Sequence, residues 1–125
     1  MKENIYIIDD NYAIGDALKF LLESFKYKVT FYQNALSFLQ QDIAQLPGCV
    51  IVDLYMPQMN GFELIKRLRM INCHIKIIVI SGNGSYDTEN RAMKDGAHFF
   101  FSKPFNTKDL INALSTLFAE QKKLS

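Results

Sequence analysis

The sequence predicts an α/β fold, a single doubly wound sheet of five parallel strands in (βα)5 alternation. Three observations predict it. Five short apolar runs rich in Ile, Val and Phe recur along the chain, and segments with helical spacing separate them. Four of the five runs are nearly continuous in apolar residues, as strands covered by helices on both faces must be. The alternation spans the whole length, which favours short right-handed crossovers and an open sheet. Five strands are too few for an eight-stranded barrel.

Each element has its own signal. Asn4–Asp9 (NIYIID) is the first strand candidate. Ile14, Ala17, Leu18, Leu21, Leu22 and Phe25 follow at i, i+3, i+4, i+7, i+8 and i+11, the single apolar stripe of a helix. Lys28–Tyr32 (KVTFY) mixes in polar residues and reads as an edge strand. Asn34 is placed to cap a short helix bearing Ala35, Phe38 and Leu39. Gly48–Asp53 (GCVIVD) is the third strand, and Asn60 with Glu63 forms a capping-box pattern before Phe62, Ile65 and Leu68. Lys76–Ser81 (KIIVIS) is the fourth strand. The helix Tyr86–Asp95 (YDTENRAMKD), closed by Gly96, is mostly polar, with Ala92 and Met93 as its main anchors. It should be the least firmly seated of the helices. His98–Lys103 (HFFFSK) is the last strand. Asn106 and Asp109 repeat the capping pattern ahead of Leu110, Ala113, Leu114, Leu117 and Phe118.

Composition limits the function classes. The chain has 125 residues, the size of one domain, and residues 1–125 read as such with no repeat or linker. Lys+Arg 14 against Asp+Glu 13 gives no reason to expect a nucleic-acid surface. No apolar run approaches the ~20 residues of a membrane helix, and MKENIYIIDD lacks the features of a signal peptide, so the expected location is the cytoplasm. Cys49 and Cys73 have no metal-ligand spacing and read as buried apolar residues. His74 and His98 read as solvent-facing strand ends.

In open α/β sheets, sites lie beyond the carboxyl ends of the strands. Those ends carry Asp9 and Asp10, then Asp53, then Ser81, then Lys103 before Pro104. Asp53 also leads straight into a loop marked by Pro57 and Gly61 (VDLYMPQMNG). Two like charges ~4–5 Å apart at an effective dielectric near 20 repel by roughly 3–4 kcal/mol. Lys103 offsets part of this and a divalent cation would offset more. Oxygen donors without thiolate or imidazole suit Mg²⁺ and not zinc or copper. An aspartate can accept a phosphoryl group, with Lys103 and the Ser81 hydroxyl on its oxygens. Asp53 is the best nucleophile, and Asp9 and Asp10 are the metal's carboxylates.

IYIIDDN, VIVDLYMPQMNG, IIVISG and FFFSKPF, in that order, resemble the receiver domains of two-component response regulators over essentially the whole chain. The resemblance implies the flavodoxin- and CheY-like strand order 2-1-3-4-5. It implies that Asp53 is the phosphoacceptor, that Asp9, Asp10, Asp53 and the Tyr55 carbonyl hold Mg²⁺, and that Ser81 and Lys103 bind the phosphoryl group. The bond to Pro104 would be cis, and Phe100 would be the aromatic switch residue, with Phe99 and Phe101 left as core. Tyr55 and Asn83 hold the positions that set the dephosphorylation rate. Asn11 stands where many receivers carry a third acidic or similar polar residue. The implied partner is a sensor histidine kinase or phosphotransfer protein. A homodimer through the 86–95 helix, strand five and the last helix is implied as a further possibility.

The run RAMKDGAHFFFSKPF is similar to FixJ-type receivers, which drive a C-terminal DNA-binding domain. No such domain follows AEQKKLS, so the expectation is a stand-alone receiver or the receiver of a longer regulator. Two other readings compete. A haloacid-dehalogenase-type phosphatase would want an aspartate at the position of Tyr55, and a flavin site would want a phosphate loop after strand one. A phosphorylation-independent binding module is the more serious alternative, set against a pocket whose residues are all present.

Overall fold

The computed structural model describes residues 2–72, 74–82 and 84–124, with side chains as far as Glu120. Cys73 and Asn83 fall outside the described residues. Five strands, β1 (Asn4–Ile8), β2 (Lys28–Tyr32), β3 (Cys49–Asp53), β4 (Lys76–Ser81) and β5 (Phe99–Ser102), form one sheet of order β2-β1-β3-β4-β5. Every pairing is parallel. Five helices alternate with them: α1 (Tyr12–Ser24), α2 (Ala35–Leu39), α3 (Gly61–Ile71), α4 (Tyr86–Asp95) and α5 (Thr107–Leu124). No helix of the described residues is long and apolar enough to cross a membrane.

Strand residues alternate between two cores. Ile5, Ile7, Cys49, Ile51, Ile78 and Ile80 pack under α1 and α5. Tyr6, Ile8, Val50, Val52, Ile77 and Val79 pack under α2, α3 and α4. β3 is buried at all five positions, which is why its sequence shows no alternation. β2, at the edge, does alternate in part, as its mixed composition predicts. Three strands are shorter than the apolar runs suggest: Asp9, Gly48, His98 and Lys103 lie just outside them. The ladder still reaches the polar ends, because Asp9 N–H donates to Tyr32 O (3.1 Å) and Lys103 N–H to Ser81 O (2.8 Å).

The caps follow the sequence closely. Asn34 Oδ1 accepts Ser37 N–H, and the Asn60–Glu63 capping box is closed in both directions. Asn106 differs in detail, since its Oδ1 takes Lys108 N–H while Asp109 N–H goes to the Asn106 carbonyl. Asn72 ends α3 and binds two loops. Its amide donates to Ile43 O and Leu46 O, and its Oδ1 accepts from His74 and Ile75.

Two elements depart from their expected packing. In α1, Leu18 and Leu22 are buried, but Ile14, Ala17 and Phe25 on the same stripe are exposed. In α4 the buried residues are Thr88 and Ala92, and Met93 is not an anchor but 41% exposed. α4 is held instead by polar contacts with α3. The Arg91 guanidinium lies 4.0 Å from the Phe62 ring centroid. Arg69 donates through Nε and Nη2 to the carbonyl of Gly96, whose φ of +122° closes the helix.

Candidate functional site: the acidic edge of the sheet

The order β2-β1-β3-β4-β5 places the carboxyl ends of β1, β3, β4 and β5 side by side. Asp9, one residue past β1, is 6% exposed, and Asp53, the last residue of β3, is 8% exposed. Backbone amides orient both. Asn11 N–H donates to Asp9 Oδ1 at 2.9 Å, and Tyr55 N–H donates to Asp53 Oδ1 at 3.2 Å. Asn11 does a second task as well, because its side chain caps α1 by accepting Ile14 N–H.

The loop after Asp53 is fixed by its own backbone. Gly61 N–H donates to Leu54 O at 2.8 Å, and a Cβ at Gly61 would meet Asp53 O and Leu54 Cα at 2.7 Å. Only glycine lets α3 start so close to the strand end, which explains the Asp53–Gly61 spacing seen in the sequence.

Lys103 Nζ lies between the two buried carboxylates, 3.4 Å from Asp9 Oδ2 and 3.6 Å from Asp53 Oδ2. The Lys103–Pro104 peptide is cis, as the resemblance implies. Asp10 is exposed, and one carboxylate oxygen from each of Asp9, Asp10 and Asp53 falls within a 4.8 Å spread. Burial raises the Asp53 carboxyl above its ordinary value of 3.8, and the Asp9 charge adds to this. Lys103 and the Tyr55 N–H oppose the rise without cancelling it. Three acidic side chains thus face one ammonium.

A divalent ion fits this arrangement. The donors are hard oxygens, and opposite ligands of one Mg²⁺ stand about 4.2 Å apart at an Mg–O distance of ~2.1 Å, close to the observed spread. Asp9, Asp10 and Asp53 are the residues that could hold it.

The remaining predicted residues are placed as follows. Ser81, at the end of β4, is fully buried on the α3/α4 side. Phe100 is half-buried against the core on that same side, while Phe99 and Phe101 stack on the α1/α5 side with ring centroids 6.3 Å apart. The Tyr55 side chain is 50% exposed at the rim. Asn83 lies outside the described residues. Ser102, which the sequence reading did not single out, pairs with Ser81 in the sheet and leaves no room for a side chain on Gly84 in the loop before α4. A small residue at both positions was the only signal in the sequence.

Comparison with known proteins decides the family. The response regulator receiver domain model matches residues 5–115. The chain belongs to the response regulator receiver family. It is 41% identical over 113 residues to the response regulator protein TmoT of Ectopseudomonas mendocina, covering 90% of this chain and 51% of that one. It is 37% identical over 110 residues to the transcriptional regulatory protein FixJ of Azorhizobium caulinodans, covering 88% and 52%. The receiver thus spans about half the length of these curated relatives. A CheY-like receiver domain from Methanospirillum hungatei JF-1 superposes with a TM-score of 0.92 at 27% identity, over 100% of both chains. The receiver is therefore a FixJ-like signalling domain of the two-component type.

Proposed function

We propose that this receiver is switched by Mg²⁺-dependent transfer of a phosphoryl group to Asp53 from the phosphohistidine of a sensor kinase or phosphotransfer protein. The bond from phosphorus to the donor nitrogen breaks as the bond to an Asp53 carboxylate oxygen forms, and the imidazole leaves. One observation carries this reading: a buried aspartate, held by a backbone amide, shares one lysine with a second buried aspartate (3.6 and 3.4 Å). Mg²⁺, on Asp9, Asp10, Asp53 and the Tyr55 carbonyl, would neutralise charge on the phosphoryl oxygens. Lys103 leaves its contact with Asp9 and takes one of those oxygens, and the Ser81 hydroxyl takes another. Movement of Ser81 makes room for Phe100 to turn inward and lets α4 shift.

A FixJ-like regulator would read this shift as transcriptional output through a further domain, in the cytoplasm where its kinase presents the donor. The phosphorylation-independent binding module is disfavoured by the gathering of Asp9, Asp10, Asp53 and Lys103 at one edge.

Intact mass after incubation with Mg²⁺ and acetyl phosphate tests the proposal. One phosphoryl group is expected on the wild type only with Mg²⁺, and none on Asp53→Asn. Addition that survives in Asp53→Asn would move the acceptor to another carboxylate. No addition under any condition would overturn phosphorylation by small donors.

A further inference from the structure

The exposed half of the α1 stripe faces a void. Between α1 and the connection from β5 to α5, a cavity of about 250 Å³ opens over the sheet. Its floor is Ile7, Ile51 and Ile80 from three neighbouring strands, and Ala17, Leu21 and Phe105 stand around it. Asp9 and Asp53 line its end at the acidic edge. Leu18 and Leu22 complete the core beneath α1, so Ile14 and Ala17 are left on the wall of this space and not in a packed interior.

Phosphoryl transfer has no use for an apolar cavity. Its size and its end chemistry specify a ligand instead. A dry cavity of ~150 Å³ takes up benzene, so this one has room for a phenyl ring carrying a short tail. At the acidic end, two carboxylates share one cationic partner among the described residues, Lys103. A neutral hydrocarbon would leave that excess charge uncompensated, and an anion would be repelled by it. A primary ammonium satisfies it with charge-assisted hydrogen bonds.

We propose that this cavity is a binding site for small aryl- or alkyl-ammonium molecules, with the apolar body under α1 and the ammonium at Asp9 and Asp53. Ligand and divalent cation then compete for the same carboxylates, and occupancy antagonises phosphorylation. Only that regulatory consequence rests on the proposed function; binding itself does not.

The test is titration of the metal-free protein with phenethylammonium, followed by amide ¹H–¹⁵N chemical shifts, beside 3-phenylpropionate as an anion of similar shape. Shifts are expected around Ala17, Leu21 and Phe105, with the apparent Kd raised at least fivefold by saturating Mg²⁺ and no binding of the anion. Ala17→Leu, which adds bulk at the wall, should weaken the amine at least tenfold and leave acetyl-phosphate labelling unchanged. Asp53→Asn should also weaken it.

Absence of binding, equal binding of the anion, or indifference to Ala17→Leu would each overturn the proposal. So would shifts confined to the outer face of α1 at Phe20. Amine binding without acetyl-phosphate labelling would overturn phosphorylation by small donors and leave this site standing, and the converse result would do the reverse.

Discussion

At the scale of single residues, Asp53 is held at a cost. Burial and the Asp9 charge raise its carboxyl, so the native state disfavours the ionised form even with Lys103 beside it. An acid raised in this way takes stability from the fold as pH climbs from its ordinary value of 3.8 through its higher native value. Asp53→Asn removes the charge and keeps an oxygen for Tyr55 N–H. In metal-free buffer at pH 7 it should therefore melt a few degrees higher than the wild type. The advantage should fade below about pH 4, where the wild-type carboxyl is itself neutral. A lower melting temperature at pH 7 would mean that the Lys103 ion pair outweighs desolvation. Tyr55 is a second residue-scale case. Its half-exposed ring stands at the rim two positions after Asp53, and under the proposed function it would hinder water in line with the phosphoryl group. The phosphorylated state of Tyr55→Asn should decay several-fold faster; an unchanged decay time would remove Tyr55 from that role.

At the scale of elements, α4 shows how little apolar burial a helix can have and still be fixed. Thr88 and Ala92 are its buried residues, and Arg69 and Arg91 link it to its neighbours. The Arg69 cluster also includes His98, whose Nδ1 accepts Ile77 N–H at 3.2 Å and faces Arg69 Nη2 at 3.3 Å. His98 is therefore a half-buried acceptor and not a solvent-facing strand end. Burial, with the Arg69 and Lys76 charges nearby, pulls it down to about 4. A base lowered in the native state stays neutral there while the unfolded chain takes up a proton, so stability falls as pH drops from about 6.5 toward 4. His98→Asn retains an acceptor that does not titrate. Between pH 7 and pH 5 the wild type should lose roughly 1 kcal/mol more than this variant in urea unfolding, a figure reduced for the ring's exposure. Parallel pH profiles would show that His98 does not control this slope.

At the scale of the whole molecule, the sheet order converts separate strand ends into one site and two cores into two independent faces. The α4–β5–α5 side carries half-buried Phe100 with exposed Tyr86 (78%) and Met93 (41%). If activation reshapes this side for a second copy, beryllofluoride with Mg²⁺ should shift the sedimentation coefficient toward a dimer at tens of micromolar protein. Equal sedimentation with and without the phosphoryl mimic would count against self-association.

The sequence by itself determined the alternation of strands and helices, the caps at Asn34 and Asn60, and the identity of the polar residues at the strand ends. These are local signals: continuous apolar runs mark doubly covered strands, and capping needs residues only three apart. It also pointed to the sparse apolar burial of α4, because a helix poor in apolar residues cannot bury much. Only the tertiary structure decided which stripe residues of α1 are packed and which line a void, since periodicity specifies a face but not what covers it. It likewise decided that His98 serves as a half-buried acceptor for Arg69 and Ile77, residues 29 and 21 positions away in the chain. Contacts at that separation depend on how strands are ordered, and strand order is a property of the assembled sheet.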